Sequence, residues 1–383
     1  MAARLKPIEE QVIVVTGASS GIGLATALLA AERGAAVVLV ARNQDALQQI
    51  TGEIRAKGGR AAFLAADLAD EGAPHRIADL ATREFGGFDT WINNAAVAMF
   101  ARLDDTTMGE HRQIFDIGYF GLVNASLLAA RRLRERGGAI INVGSILSDR
   151  SVPVQGAYSA MKHAVQGFTE ALRMELEMEN APISVTLIKP TGMHTPYPDH
   201  ARNKMDKPAA IPPTVYDPRL TAEAICHAAE HSKRAMIVGG QGIVLTKLAN
   251  IFPRSTDKIM ERFFGEELQS IDRRPPAGTK DNLFEPRRDG DIESSHDQYV
   301  RRRSLTLKAQ MHPLATAAIA GGAIMAAAGL ILGRRAMSRR SAFEPRQLHD
   351  LTDNNITGHD PSMIEILEAT PYREPDAADI HVG

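Results

Sequence analysis

Seven short apolar runs, alternating with stretches of helical periodicity, constrain this chain more than any other feature. They begin at Val12 (VIVVTG), Ala36 (AVVLVA), Ala61 (AAFLAADL), Asp89 (DTWINNAA), Ala139 (AIINVGS), Ile183 (ISVTLIKP) and Ala235 (AMIVGG). As a set they are rich in Val and Ile, too short for free-standing helices, and end near Gly, Asn or Pro, so each predicts a strand. Between them, residues 24–33, 111–136 and 158–179 carry apolar side chains at helical spacing. Strands that alternate with helices pair in parallel, and a parallel sheet is covered on both faces. The pattern predicts an α/β fold, a doubly wound parallel sheet of about seven strands (Rossmann-type).

That pattern stops near Gly240, well short of the end of a 383-residue chain. Residues 1–250 are assigned to the α/β domain. Residues 251–313 read as one more helix (255–269) and an irregular, charged connector. Residues 314–332 carry no charge and consist mainly of Ala, Gly, Leu and Ile. Their number is close to the ~20 that cross a bilayer. Basic residues flank them, Arg301, Arg302, Arg303 and Lys308 before and Arg334, Arg335, Arg339 and Arg340 after, as at lipid headgroups. Gly329-x-x-x-Gly333 is a small-residue spacing that suits helix association in lipid. Alanine adds little drive for insertion, so two readings stand: a transmembrane or membrane-associated helix, and a helix packed on a protein surface. Residues 333–383 are polar and read as a largely disordered tail.

Composition removes several classes. With 44 basic and 46 acidic residues the net charge is −2, which argues against a globally basic nucleic-acid binder. A content of 44% hydrophobic and 23% charged residues excludes disorder throughout. A single cysteine, Cys226, excludes an intramolecular disulfide and a Cys-pair zinc site, and points to a reducing, cytoplasmic setting. The opening MAARLKPIEEQ has no apolar stretch suited to a secretory signal. No H-E-x-x-H spacing occurs, so no metal is predicted.

The first strand runs into Thr16-Gly17-Ala18-Ser19-Ser20-Gly21-Ile22-Gly23 and then a helix. Glycines there permit a tight turn and a close approach of backbone to a pyrophosphate, which a helix N-terminus attracts. The spelling TGASSGIG resembles the short-chain dehydrogenase/reductase family. Ala66-Asp67-Leu68 after the third strand is similar to that family's adenine-contacting segment. Asn93-Asn94-Ala95-Ala96 resembles its NNAG motif, with Ala96 in place of glycine. Pro190-Thr191-Gly192 with Thr195 resembles the segment that touches the nicotinamide carboxamide, with Thr191 in place of the usual glycine. The resemblance is collinear over about 12–240 and implies a nicotinamide cofactor held by Gly17, Ser19, Ser20, Gly21, Ile22, Gly23, Asp67, Leu68, Asn94, Ala95, Pro190 and Thr195. An NAD enzyme places a carboxylate after the second strand; here Ala41 and Arg42 stand there. A small residue followed by a guanidinium suits a 2′-phosphate, so NADP(H) is expected over NAD.

Tyr158 and Lys162 are four apart, neighbours on one helical face. An ammonium beside a phenol, whose ordinary pKa is about 10, favours the phenolate. Such a tyrosine can hand over or take the proton that accompanies hydride transfer at a carbonyl. Ser145 follows the fifth strand, where the resemblance implies a substrate-orienting serine. It further implies Tyr158 as general acid/base and Lys162 as the group that holds the nicotinamide ribose. The family's fourth residue, an Asn on a water path to the lysine, falls at Gly118, so that role is not carried over; Asp116 or a water takes it up, or turnover is slower. His194 and His200 lie in the loop after Pro190 and are candidates for a polar substrate contact, while Cys226 sits in an apolar helical pattern and reads as packing. The expectation is a membrane-associated NADP(H)-dependent oxidoreductase that interconverts a carbonyl and a secondary alcohol on a hydrophobic small molecule. It is expected to act as a homo-oligomer paired through 111–136 and 158–179. The competing class is a nucleotide-binding scaffold or sensor with weakened catalysis, recruited through its C-terminal segment.

Overall fold

The computed structural model of the chain describes residues 3–272, 280–287 and 289–319, together with 321, 325 and 328. All seven expected strands are present: β1 (Val12–Thr16), β2 (Ala36–Ala41), β3 (Arg60–Ala65), β4 (Thr90–Asn93), β5 (Gly138–Val143), β6 (Ile183–Pro190) and β7 (Ala235–Val238). They form one sheet in the order β3-β2-β1-β4-β5-β6-β7, and every pair is parallel. β1 and β5 are buried at every position, which is why they read as unbroken apolar runs rather than alternating ones.

Helices cover both faces. On one, α1 (Gly21–Glu32), α2 (Gln44–Ala56) and α8 (Pro218–Glu230) bury Leu24, Leu47, Ile50 and Ile225 against Ile13, Val15 and Leu39. On the other, α3 (Ala73–Phe85), α5 (Gly121–Leu133) and α6 (Gly156–Met178) bury Ile77, Leu128 and Leu172 against Val14, Val38, Trp91 and Ile140. Polar side chains between β4 and β5 are satisfied internally. Asn93 Nδ2 donates to Ser126 Oγ and Asn142 Oδ1, each at 2.9 Å, and Asn142 Nδ2 to Thr169 Oγ1 at 2.9 Å. A buried network complete in this way fixes the relative position of its strands and helices.

α4 (Met108–Phe115) runs through a π-helical turn (Asp116–Phe120) into α5. Met108–Leu133 is long and apolar enough to cross a membrane, but 56% of its most apolar stretch is buried inside the domain, as in a core helix. The helix expected at 255–269 forms as α10 (Pro253–Phe263), preceded by α9 (Gly240–Ile251), which no sequence signal announced.

The boundary expected at residue 250 is not a structural one: a compact unit runs Met1–Ala320. Val300–Arg301 pairs with Val215–Tyr216, and α11 (Leu305–Met311) buries Leu307 in the core beside α8 and β7. Gln310 continues the sheet edge with its side chain, accepting from Ile237 N at 2.9 Å and donating to Ile237 O at 2.8 Å. Of the uncharged segment 314–332, the part at 314–319 is helical, with Leu314 and Ile319 exposed. Most of that segment, and the tail at 333–383, lie outside the described residues.

Candidate functional site

A cleft of about 730 Å³ opens at the carboxyl ends of the strands, where the sheet order reverses between β1 and β4. That reversal leaves a crevice that two diverging connections cannot fill. After β1 the chain turns through Gly17 at φ +66°, a conformation open to glycine. A Cβ on Gly17 would lie 2.8 Å from Ala95 Cα, and one on Gly23 would strike the Gly17 carbonyl. Asn94 braces the turn: its Nδ2 donates to the carbonyls of Thr16 (3.0 Å) and Gly17 (3.2 Å). Thr16 Oγ1 in return accepts from the main-chain N–H of Asn94 (3.0 Å) and Ala95 (3.2 Å). α1 then starts at Gly21 with no side-chain cap and no acid in its first turn, an end that attracts an anion. Gly17, Ser19, Ser20, Gly21 and Ile22 line the cleft, whereas Gly23 packs the loop from behind.

Arg42 follows β2 with its side chain only 16% exposed, and its Nη1 lies 3.9 Å from Asp67 Oδ2. The guanidinium also donates to the main-chain carbonyls of Asn282 and Phe284. Asp67 Oδ1 accepts from Ala69 N at 3.0 Å, which orients the carboxylate. Arg42, Asp67, Leu68, Asn94 and Ala95 all line the cleft. At the far end of β6, Pro190 and Thr195 do the same, and Thr191 donates from N and Oγ1 to Val238 O at 3.0 and 2.9 Å. The hydroxyl that stands where the resemblance has a glycine therefore ties this segment to β7.

Ser145 leaves β5 in an extended conformation and its Oγ accepts from Leu147 N at 3.1 Å. One turn apart on α6, Lys162 Nζ lies 5.6 Å from the centre of the Tyr158 ring and donates to Val143 O at 2.7 Å. Burial lowers the Lys162 ammonium to about 8. Burial also raises the Tyr158 phenol, against a downward pull from the neighbouring Ser145 and Tyr197 hydroxyls. The sequence predicts that Lys162 lowers that phenol; in the structure the downward pull comes from Ser145 and Tyr197, and burial outweighs it. Ser145, Tyr158 and Lys162 share the cleft with the glycine loop.

Gly118 sits in the π-helical turn, and a Cβ there would lie 2.8 Å from Met161 Sδ and Cε. The thioether takes the room that an asparagine side chain needs. Ile117 rather than Asp116 faces the cleft. His194 is buried away from it, with Nδ1 3.1 Å from Gln298 Nε2. His200 lines the cleft with Nε2 3.6 Å from Asp289 Oδ1, and burial lowers its pKa. Burial pushes the Cys226 thiol up to about 12, so it is inert packing.

Sequence reasoning missed two groups. Tyr197, the first residue of the short α7 (Tyr197–His200), stands edge-on to Tyr158, ring centres 5.4 Å apart, and donates to Gln155 Oε1 at 2.9 Å. Gln155 Nε2 in turn donates to Gln269 Oε1 at 2.6 Å. Nothing periodic marks these residues, which only tertiary packing brings together. The second group is residues 282–287 and 289, from the supposed connector, several of which line the cleft. Beyond Tyr158 much of the wall is apolar, with Leu147, Val152, Ile211, Leu245, Met260 and Phe264 among its residues.

The family model for short chain dehydrogenase matches residues 11–206. The oxidoreductase YxnA of Bacillus subtilis (strain 168) is 42% identical over 328 residues, 85% of this chain and 92% of the relative. The chain is a short-chain dehydrogenase/reductase. Its fold is that of solved members: a short chain dehydrogenase/reductase from Burkholderia phymatum in complex with NAD superposes with a TM-score of 0.60 at 22% identity, over 71% of this chain and all of that one (100%). An alcohol dehydrogenase from Thermococcus sibiricus complexed with 5-hydroxy-NADP gives 0.52 at 24% identity, over 60% of this chain and 95% of that one. As an oxidoreductase of this family, the protein keeps the phosphate-loop spelling and departs at Gly118. Among the described residues, no group of three or more His, Cys, Asp or Glu is placed to hold a metal ion.

Proposed function

We propose that this short-chain dehydrogenase/reductase interconverts a carbonyl and a secondary alcohol with NADP(H), on a hydrophobic small molecule. The observation that carries the reading is the convergence of Ser145, Tyr158, Lys162, the glycine loop and Arg42 on one cleft. The loop fits a dinucleotide: side-chain-free glycines, a helix end that no side chain caps (its Gly21 N–H meets Asp291 O) and a cationic Arg42 follow one another along the wall. Gly17, Ser19, Ser20, Gly21 and Ile22 would hold the pyrophosphate, Asp67 and Leu68 the adenine, and Pro190 and Thr195 the carboxamide, with Asn94 and Gly23 shaping the loop. The structural neighbours carry NAD in one case and an NADP derivative in the other, so the choice rests on Arg42.

A reduced nicotinamide supplies the hydride when bound. The chain's own residues manage the oxygen and the proton. Ser145 Oγ hydrogen-bonds the carbonyl oxygen, and Tyr158 donates its phenol proton to that oxygen as the alcohol forms. The Lys162 ammonium then favours the phenolate left behind. In alcohol oxidation the same groups act in reverse. Consumption of NADPH against a panel of ketones and aldehydes, wild type beside Tyr158→Phe, tests the reading; turnover that survives the substitution sinks it.

One observation favours the scaffold reading: Met161 fills the place of the relay asparagine. Under that reading the protein binds NADPH with no Tyr158-dependent turnover on any substrate. Membrane attachment through 314–332 is supported by the exposed Leu314 and Ile319, and the reading of NADPH as cofactor favours a cytosolic catalytic unit. Truncation after Pro313 is its test, because α11 belongs to the core and must be kept; the full chain should sediment with membranes and the truncated chain should not. A homo-oligomer through α5 and α6 is supported by Phe120, Leu127, Met174 and Met178, all exposed on or beside those helices.

A further inference from the structure

The hairpin of α9 and α10, which walls the substrate end of the cleft, also has an outer face. On α9, Val244, Lys247, Leu248 and Ile251 recur at helical spacing, and all four are exposed. On α10, Ser255, Lys258, Ile259 and Arg262 do the same. Phe252 stands exposed at the corner between the two helices. The apolar members of this face, Val244, Leu248, Ile251, Phe252 and Ile259, are 44–66% exposed. A helix of a soluble domain turns such a stripe towards the core; turned outward, it marks a surface that something covers.

Charge is sorted on the same hairpin. The two acids of α10, Asp257 and Glu261, lie on a different side of the helix, where Asp257 pairs with Arg150 and both pair with Arg254. Lys247, Lys258 and Arg262 make no ion pair among the described residues. The next acids, Glu266 and Glu267, come only after α10 ends, an 11-residue helix away from the corner, or ~16 Å. The outer face is therefore apolar and cationic, with no carboxylate in either stripe. A second copy of the chain fits it poorly. A two-fold contact sets one patch against itself, which would bring these three cations against their own counterparts. An anionic lipid surface meets both demands. The apolar side chains enter the acyl boundary, and the lysine stems lie along it while their ammonium groups reach the headgroup phosphates.

Val244, Leu248 and Ile259 are exposed and line the cleft as well, so this face borders the cleft mouth. We propose that the outer face of the α9–α10 hairpin docks on an anionic lipid surface, and that the cleft takes its substrate from that bilayer. The docking involves neither the segment 314–332 nor the chemistry. The delivery rests on the reading of a hydrophobic substrate above and names its class, a lipid-soluble carbonyl or alcohol dissolved in a membrane.

The test is fluorescence quenching of the full chain by vesicles of phosphatidylcholine and phosphatidylserine whose acyl chains carry bromine. Trp91 is the single tryptophan of the chain and is fully buried, so an introduced indole reports on its own place. The emission of Phe252→Trp should be quenched. That of Met178→Trp, exposed where α6 ends beside the amino ends of the strands, should not. Ile251→Glu added to Phe252→Trp should abolish the quenching, and vesicles of brominated phosphatidylcholine alone should quench less. Neither Ile251 nor Phe252 lines the cleft. Ile251→Glu should therefore slow turnover of a long-chain ketone dissolved in the vesicles several-fold and leave a short water-soluble ketone unaffected. A chain that sediments with the vesicles while Phe252→Trp stays unquenched is attached elsewhere, which overturns the docking. So does a failure to bind the vesicles, or equal quenching by both lipids. A blue shift of Phe252→Trp that needs protein concentration and no lipid puts a second copy on this face, and overturns it too. Unchanged turnover of the vesicle-dissolved ketone in Ile251→Glu overturns the delivery. If the wild type turns over neither ketone, the catalytic reading fails and the delivery with it, while the quenching still decides the docking.

Discussion

The two ends of the cleft are built by opposite rules. At the nucleotide end, Thr16, Asn94, Arg42 and Asp67 are each held by directed hydrogen bonds or an ion pair, mostly to main chain. At the substrate end Leu147, Val152, Ile211, Leu245, Met260 and Phe264 give an apolar lining, and the directed bonds run among Tyr197, Gln155 and Gln269. Hydrogen bonds fix distance and angle, whereas apolar burial is non-directional and follows area. One end can therefore recognise a single ligand closely, while the other accepts a range of shapes and is open to change. Tyr158, Ser145 and Lys162 stand where the two regimes meet.

That contrast breaks first, and hardest, at the junction. Tyr158→Phe removes the proposed proton donor without altering either end, so the reduction rate should fall by about 10²- to 10⁴-fold while NADPH affinity is kept. Rapid-mixing kinetics and a binding titration check the two halves separately. Next comes the polar end. Arg42→Ala should weaken NADPH by roughly 10- to 100-fold, the worth of a charge-assisted hydrogen bond, and leave NADH almost untouched. If both nucleotides weaken equally, Arg42 serves as an anchor for residues 282–284, through Asn282 and Phe284, and not as a reader of phosphate.

The two ends also differ in how far they could be read from residues alone. Gly17, Gly23 and Asn94 were visible because a tight turn packed on a neighbouring strand leaves few chemical choices, and the strand-to-helix context confines them to one place. Strands such as β1 and β2 were visible because burial on both faces suppresses polar residues along the run. Residues 280–287 were not. They are irregular and charged, so they carry no period, and of the adjacent apolar pair Leu283 and Phe284 only Leu283 is buried. Gly118 was visible as a departure, but its cause is a methionine from α6 that is distant in sequence. Tyr197 was hidden for the same reason: its partner Gln155 is joined to it by folding and by nothing local.

The apolar end should yield smaller effects. Leu245→Ser puts a hydroxyl into the packed wall and removes part of its apolar area, so kcat/KM for the most apolar substrates should drop by about 3- to 20-fold. Polar substrates of the same size should lose little, and NADPH affinity nothing. A uniform loss across the panel, read from initial rates, would mean that the wall positions Tyr158 rather than selecting the substrate.

The last effect lies at the junction and is read in stability rather than rate. Lys162 is 3% exposed, and burial takes its ammonium from the ordinary 10.5 to about 8. Between those values the unfolded chain holds a proton that the folded chain has released, so stability should rise with pH across that window. Below it both states are charged and the folded state carries the whole desolvation cost, at most roughly 3 kcal/mol by the size of the shift. Lys162→Met removes the titrating group. Its Tm advantage over wild type, or its smaller deficit, should therefore be most favourable below pH 8 and should shrink as the pH climbs towards 10.5. Parallel melting curves for the two proteins cancel every other titration in the molecule. A difference that stays flat across that range would show that Lys162 keeps its charge through the window, held by the Val143 carbonyl strongly enough to offset its burial.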